Sequence, residues 1–184
     1  EKSDIPVVYV INHCDHDKAN FEKTLESIKE RFGTKVAQLQ FPVNAGPAFD
    51  SIVDVLQMKM YKFPKDGGKS TVNDIPDNLK AQAEDLHAEL VENAAENDES
   101  LMELYFEKDT LSEDEMRKGI SAGLIANGIS PVLCISAKNN MGIGRLLEFI
   151  TNVFPSPCDT EGEKTEDGNE VKCDPSGQAT LMVF

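Results

Sequence analysis

The chain has 184 residues, enough for one domain with a substantial core or for one domain plus a subdomain. At 40% hydrophobic and 28% charged it has the balance of a globular protein, and no apolar run reaches the length that spans a bilayer. A net charge of −15 opposes a general role on the phosphate backbone of nucleic acid. The N-terminus lacks the basic-plus-apolar pattern of a secretory signal, and a start on Glu1 immediately before a strand reads as a cut from a longer protein. The four cysteines, Cys14, Cys134, Cys158 and Cys173, form no CxxC pair, which argues against a zinc knuckle or a thioredoxin-type centre. Cys14 and Cys134 sit in or beside apolar runs and read as small hydrophobes, in keeping with a reducing cytoplasm.

PVVYVIN (6–12) predicts a strand buried on both faces in a parallel sheet. Phe21, Leu25, Ile28 and Phe32 then fall on one helical face, and Gly33 closes that helix. VAQLQFPV and SIVDVLQMKMYKF, between about 36 and 63, are rich in β-branched residues and predict two strands of an antiparallel pair. A short third strand is expected at about 69–73. Pro76 to Gly128 reads as helical. Leu79, Ala83, Leu86, Leu90 and Ala94 make one stripe, and a short helix covers about 99–107. SEDE opens a third helix with a capping box from Ser112 to Glu115, carrying Met116, Ile120 and Leu124 inward. SPVLCIS (130–136) is a second buried strand, SAKNNMG its loop, and Ile143, Leu146, Leu147, Ile150 and Val153 the stripe of the next helix. Past Pro155 the composition turns polar and turn-rich, as in a linker, and ATLMVF reads as the first strand of a further domain.

The order is strand, helix, an α+β insertion of about a hundred residues, strand, helix, linker. This predicts an α/β fold: two β-α units of a parallel sheet with a subdomain inserted between them. The acidity is uneven. Between Glu84 and Glu115 there are thirteen acids and one base, Lys108, which reads as a solvated helical surface or a docking face. DGGKST (66–71) ends like a phosphate-binding loop, but the pattern GxxxxGK[ST] needs Gly where Phe63 stands. The segment also runs into TVNDIP and not into a helix. A turn between strands accounts for its glycines, and with no other such loop in the chain this piece cannot hold a triphosphate unaided.

The abrupt end of the first strand, VVYVINHCD, poses the functional question. Such a tip can bind a metal, bind a purine, or simply turn. A metal is disfavoured: His13, Cys14, Asp15 and His16 are consecutive, point in different directions and lack paired ligand spacing. Base binding fits better, because the carboxyl ends of strands are where open α/β sheets hold ligands. Asp15 can accept both the N1–H and the N2 amino hydrogens of guanine, and Asn12 can bond N7 or tie neighbouring loops. After the second strand, backbone N–H groups at Ala137 and Lys138 can meet O6, with the stem of Lys138 covering one face. Adenine would leave Asp15 unpaired.

Asn12 and Asp15, as Nxx-D, together with the SAK of Ser136, Ala137 and Lys138, resemble the fourth and fifth G-boxes of a GTPase. LQFPVNAGPAF, SIVDVLQMKMY, NDIPDNL, AAENDESLMELYFE, LSEDEM and PVLCISAKNNMGIGRLLEFITNVFPSP resemble, in that order, bacterial elongation factor G over about residues 5–157. The resemblance implies a P-loop-GTPase-type sheet, with residues 1–34 and 129–155 as the C-terminal half of the nucleotide domain. It implies 35–128 as the G′ insertion, 156–176 as linker and 177–184 as the first strand of domain II. It implies a cytoplasmic translational GTPase that uses GTP/GDP and moves tRNA and mRNA on the ribosome. The acidic G′ surface would meet the ribosomal stalk protein, with no sequence-specific nucleic acid and no membrane as partner. The phosphate loop, switches and Mg2+ ligands of that family lie upstream of the residues here, so no catalytic or metal residue is assigned, and this piece alone should not hydrolyse GTP. His13 departs from the family's NKxD lysine. It implies either altered nucleotide binding in a divergent paralogue, acting in recycling, ribosome protection or translocation with little GTP turnover, or a tolerated change. An acidic interaction module that binds no nucleotide is the remaining alternative.

Overall fold

The computed structural model describes residues 5–65, 68–156, 158, 163–165, 168–174 and 176–177. The expected final strand, ATLMVF, lies outside the described residues. Three parallel strands form the first sheet in the order β1 (Tyr9–Ile11), β7 (Ser130–Cys134), β2 (Val36–Gln38). β7 is central and buried at every position, as its unbroken apolar run requires when neighbours and helices cover it on both sides. Helix α1 (Phe21–Phe32) follows β1, and α5 (Ile143–Val153) follows β7. The Asn20 side chain caps α1 by accepting the Lys23 N–H at 2.9 Å.

The reading of 36–43 as one strand of an antiparallel pair is corrected by the pairing. Val36–Gln38 join β7 in parallel, whereas β3 (Gln40–Pro42) pairs antiparallel with β4 (Ser51–Asp54). The chain passes from one sheet to the other at Leu39, whose N–H donates to Val132 O at 3.0 Å and whose carbonyl accepts from Val55 N–H at 2.9 Å. The parallel sheet therefore has a third strand beyond the two β-α units expected. SIVDVLQMKMYKF is likewise not one strand but a hairpin, β4 to β5 (Lys59–Lys62), turned through Met58 at φ +51°. β5 pairs antiparallel with β6 (Thr71–Asn73), so DGGKST spans a strand-to-strand connection and not a strand-to-helix one. Asp66 and Gly67 lie outside the described residues.

The helices α2 (Asp77–Ala95), α3 (Glu99–Lys108) and α4 (Glu113–Ile125) follow. Ser112 and Glu115 form the full capping box of α4, and Asp98 caps α3 by accepting from Ser100 and Leu101 N–H. Some of the acid run is thus spent on local structure: Asp98 and Glu115 cap helices, and Glu113 binds Arg117. Glu84, Asp85, Glu89, Glu96, Glu99, Glu103 and Glu107 remain exposed. On α5 the stripe shifts from the expected one. Phe149 and Val153 are buried, while Leu147 and Ile150 are exposed. Beyond α5, β8 (Glu163–Lys164) pairs with β9 (Glu170–Val171) in a short antiparallel hairpin.

A buried polar cluster joins the insertion to α5. Arg145 Nη2 donates to Asp54 Oδ2 at 3.0 Å and to Gln57 Oε1 at 2.8 Å, Nη1 binds Glu148, and the guanidinium lies 4.2 Å from the Tyr61 ring centroid. Gln40 completes the junction, donating to Asp54 Oδ2 and accepting from Cys134 N–H.

Helices α2 and α4 pack at backbone distance, because Gly119 faces Ala94. A Cβ at Gly119 would lie 2.3 Å from the Ala94 carbonyl oxygen, whereas one at Gly144 in α5 would meet open space. Gly119→Ala should therefore destabilise the fold by about 1–3 kcal/mol. Gly144→Ala should be neutral or stabilising by up to ~1 kcal/mol. Urea unfolding midpoints of the two variants should move in opposite directions or leave Gly144→Ala unmoved; equal losses would contradict this packing.

Candidate nucleotide site

β1 and β7 end side by side, with Ile11 opposite Cys134, so both loop tips open on one edge of the sheet. The ladder continues past the strands: Ile135 N–H donates to Ile11 O at 2.9 Å, and Cys14 N–H to Ile135 O at 3.2 Å. At the next step a side chain takes over. Asn12 Oδ1 accepts from Ala137 N–H at 3.0 Å and from its neighbour His13 N–H at 2.7 Å. Asn12 and Ala137 are 125 apart in sequence. His13 sits at φ +61°, the left-handed region, and its carbonyl accepts from His16 N–H, so the chain reverses directly after Asn12.

The second loop is closed on itself. Ser136 and Met141 exchange both backbone hydrogen bonds at 2.9 and 3.0 Å, and Ser136 Oγ accepts from Asn139 N–H at 3.3 Å. Gly142 follows at φ +81°, where a Cβ would stand 2.9 Å from the Cys134 carbonyl oxygen. The glycine is required both for the turn and for that close approach. Ala137 and Lys138 at the tip are exposed.

Asp15 lies between the two loops. Its Oδ2 accepts from Asn139 Nδ2 at 3.1 Å. Its Oδ1 is buried and has no hydrogen-bond partner. The Ser136 hydroxyl is the main influence holding the Asp15 carboxyl below its ordinary value of 3.8. Its own backbone and the positive side chain of Lys138 act in the same sense, and desolvation opposes them. The group is therefore ionised at neutral pH. Whatever it contributes to the native state is present above that ordinary value and is lost only in acid, as pH falls through its depressed one. A buried anionic oxygen without a donor is costly in a folded chain.

Asn12, Asp15, Ser136 and Ala137 are thus brought together, with Lys138 beside them. His13 lines a different space: a cavity of about 500 Å3 on the α1 side of the tip, bounded by Ile11, Asn12, His16, Phe21 and Ala45 as well. Asp15 and residues 136–138 do not line it. Cys14 and Cys134 are buried beneath the tip, where burial pushes the Cys134 thiol up and its contact with Cys134 lowers that of Cys14. Among the described residues no three His, Cys, Asp or Glu side chains are grouped to hold a metal. Asn139 has no place in the sequence reading of the site, although it directly follows the SAK triplet.

An α/β sheet whose strand ends converge on one carboxylate fits a nucleotide-binding domain, and the comparisons give that class a family. The family described as Elongation factor Tu GTP binding domain matches residues 1–156, and the chain belongs to it. The chain is also 38% identical, over 97% of its length, to elongation factor G of Mycoplasma pneumoniae (strain ATCC 29342 / M129 / Subtype 1), and spans 26% of that protein. A crystal structure of a Thermus thermophilus protein shares the fold over 84% of this chain, with a TM-score of 0.73 at 23% identity, and the match covers 23% of that structure's chain. Among the described residues no helix is long and apolar enough to cross a membrane.

The Asn12–Ala137 bond predicts a local coupling. In Asn12→Ala the amide of Ala137 should exchange with solvent faster by about fivefold to tenfold, the loss of one hydrogen bond. The amides of Val132 and Leu133 in β7 should be unaffected. Hydrogen exchange read by residue checks this; unchanged exchange at Ala137 would show that the two tips are held by something else.

Proposed function

We propose that this region supplies guanine recognition to a translational GTPase of the elongation factor G type, which promotes GTP-dependent movement of tRNA and mRNA on the ribosome. The observation that carries the reading is the unpartnered, buried Oδ1 of Asp15 beside a loop pinned by Asn12. A guanine edge offers two donors to one carboxylate, and the exposed tip offers the Lys138 N–H toward O6, while the Ala137 N–H, expected there too, is held by Asn12 Oδ1. Guanine chemistry thus completes what the loops leave open, and adenine does not. Ser136 lowers the Asp15 carboxyl further below its ordinary value, and the stem of Lys138 would cover one face of the base. His13, turned toward the neighbouring cavity, gives the site less stacking than a lysine stem would, which supports a divergent member of the class. The phosphates and Mg2+ are assigned to residues outside this chain, and the protein works in the cytoplasm.

Two tests use the full-length protein. Asp15→Asn exchanges one acceptor for a donor, matching xanthine, whose C2 carries a carbonyl. GDP affinity should fall by at least about a hundredfold, the worth of two charge-assisted hydrogen bonds, and XDP affinity should rise. GDP affinity indifferent to this change would remove the base-binding role.

The insertion, expected over 35–128 but with Val36–Gln38 joined to the parallel sheet, is proposed to be a G′ subdomain that meets the ribosomal stalk protein through its exposed acids. Charge reversal at Glu96 and Glu103 should slow ribosome-stimulated GTP hydrolysis several-fold at low salt and less at high salt, because steering by surface charge is screened. Equal rates at low salt would leave this face without a role in ribosome contact.

A further inference from the structure

We propose that Asn139 is a positioning residue for guanine recognition, its side-chain amide fixing the plane of the Asp15 carboxylate so that both oxygens meet the base. The inference rests on the guanine-site reading above. Bidentate recognition requires the carboxylate to lie in the plane of the base edge, and an exposed aspartate rotates freely about its last torsion. In this site one oxygen, Oδ2, is held at 3.1 Å by Asn139 Nδ2, and the other, Oδ1, is buried and empty-handed. The carboxylate is thereby set before any ligand arrives. Oδ1 is left for N1–H. Oδ2, with a second lone pair, takes one hydrogen of the N2 amino group while keeping Asn139.

Asn139 is not needed to shape its own loop. Its backbone N–H already donates to Ser136 Oγ, the Ser136–Met141 pair closes the turn, and Gly142 sets its exit. The side-chain amide reaches instead across to the other loop, to a residue 124 positions earlier. It lies half-buried while the neighbouring Ala137 and Lys138 are exposed. A bond that crosses between two loops and ends on the specificity-bearing carboxylate acts on the ligand's edge and not on the turn.

The test compares GDP with IDP, which lacks the 2-amino group, in the full-length protein. In Asn139→Ala, GDP affinity should fall by about tenfold, the equivalent of immobilising the side chain on binding. IDP, which needs only one oxygen, should lose less than about threefold, so the GDP-to-IDP preference shrinks. Asn139→Ser should behave as Asn139→Ala does, and both should keep the thermal midpoint of the parent. Asn139→Asp, which removes the donor and sets a like charge beside Asp15, should lose more GDP affinity than either. Equal losses of GDP and IDP would reduce Asn139 to a loop brace, and no loss of either would remove it from the site; both overturn the proposal. Asp15→Asn separates the two claims. If that variant leaves GDP binding intact, the base site itself fails. If it switches toward XDP while Asn139→Ala leaves the GDP-to-IDP ratio unmoved, only the role of Asn139 fails.

Discussion

The parallel pairing of β1 with β7 is the constraint on which the rest of the molecule depends. It brings Ile11 opposite Cys134 and so lays two loop tips, far apart in the chain, on one edge of the sheet. Backbone bonds extend that pairing by one step through Ile135 and Cys14, and the Asn12 side chain extends it by another to Ala137. Each step is an ordinary hydrogen bond, worth about 1 kcal/mol net. Together they hold a carboxylate between two loops in a fixed relation to the backbone of the SAK tip. Without the pairing, Asp15 would be one more acid on an acidic protein.

The insertion is carried on this sheet without breaking it. Leu39 bonds one sheet through its N–H and the other through its carbonyl, so the chain changes sheets within a single residue. Gln40 and the Arg145 cluster then lock the β4–β5 hairpin against α5, the helix that leaves the second loop. The buried ion pair of Arg145 and Asp54 is shared with Gln40, Gln57 and Glu148, which offsets part of its desolvation, while Arg145 Nε is left without a hydrogen-bond partner. A second tie runs to the first loop, where Gly46 N–H donates to Cys14 O at 2.7 Å. The insertion is therefore tied to both tips, to one through a helix and to the other through a loop.

Much of this was legible in the sequence, and the failures have physical causes. SPVLCIS reads as a strand covered on both faces and is one, but PVVYVIN, with the same apolar texture, forms an edge strand with Val7 and Val10 exposed, so the apolar run alone does not fix a strand's place in the sheet. The capping box at Ser112 and Glu115 is local chemistry and needs no tertiary knowledge. The change of sheet at Leu39 was invisible, since VAQLQFPV has the same β-branched texture on either side of it. The turn at Met58 was hidden because it uses no glycine and places a bulky residue at positive φ. At the site, Asn12, Asp15 and the SAK loop stood out as motif residues, whereas Asn139 gains its meaning only from a contact across 124 residues of sequence.

The central claim is that these two tips grip one purine edge. A structure of the full-length protein with GDP bound tests it most directly. N1 and N2 of the base should lie within hydrogen-bond reach of the two Asp15 oxygens, with O6 facing the amide of Lys138 and Asn12 still bonded to the Ala137 N–H across the loops. A base seated elsewhere, for instance in the cavity beside His13 with Asp15 Oδ1 still unpartnered, would contradict it.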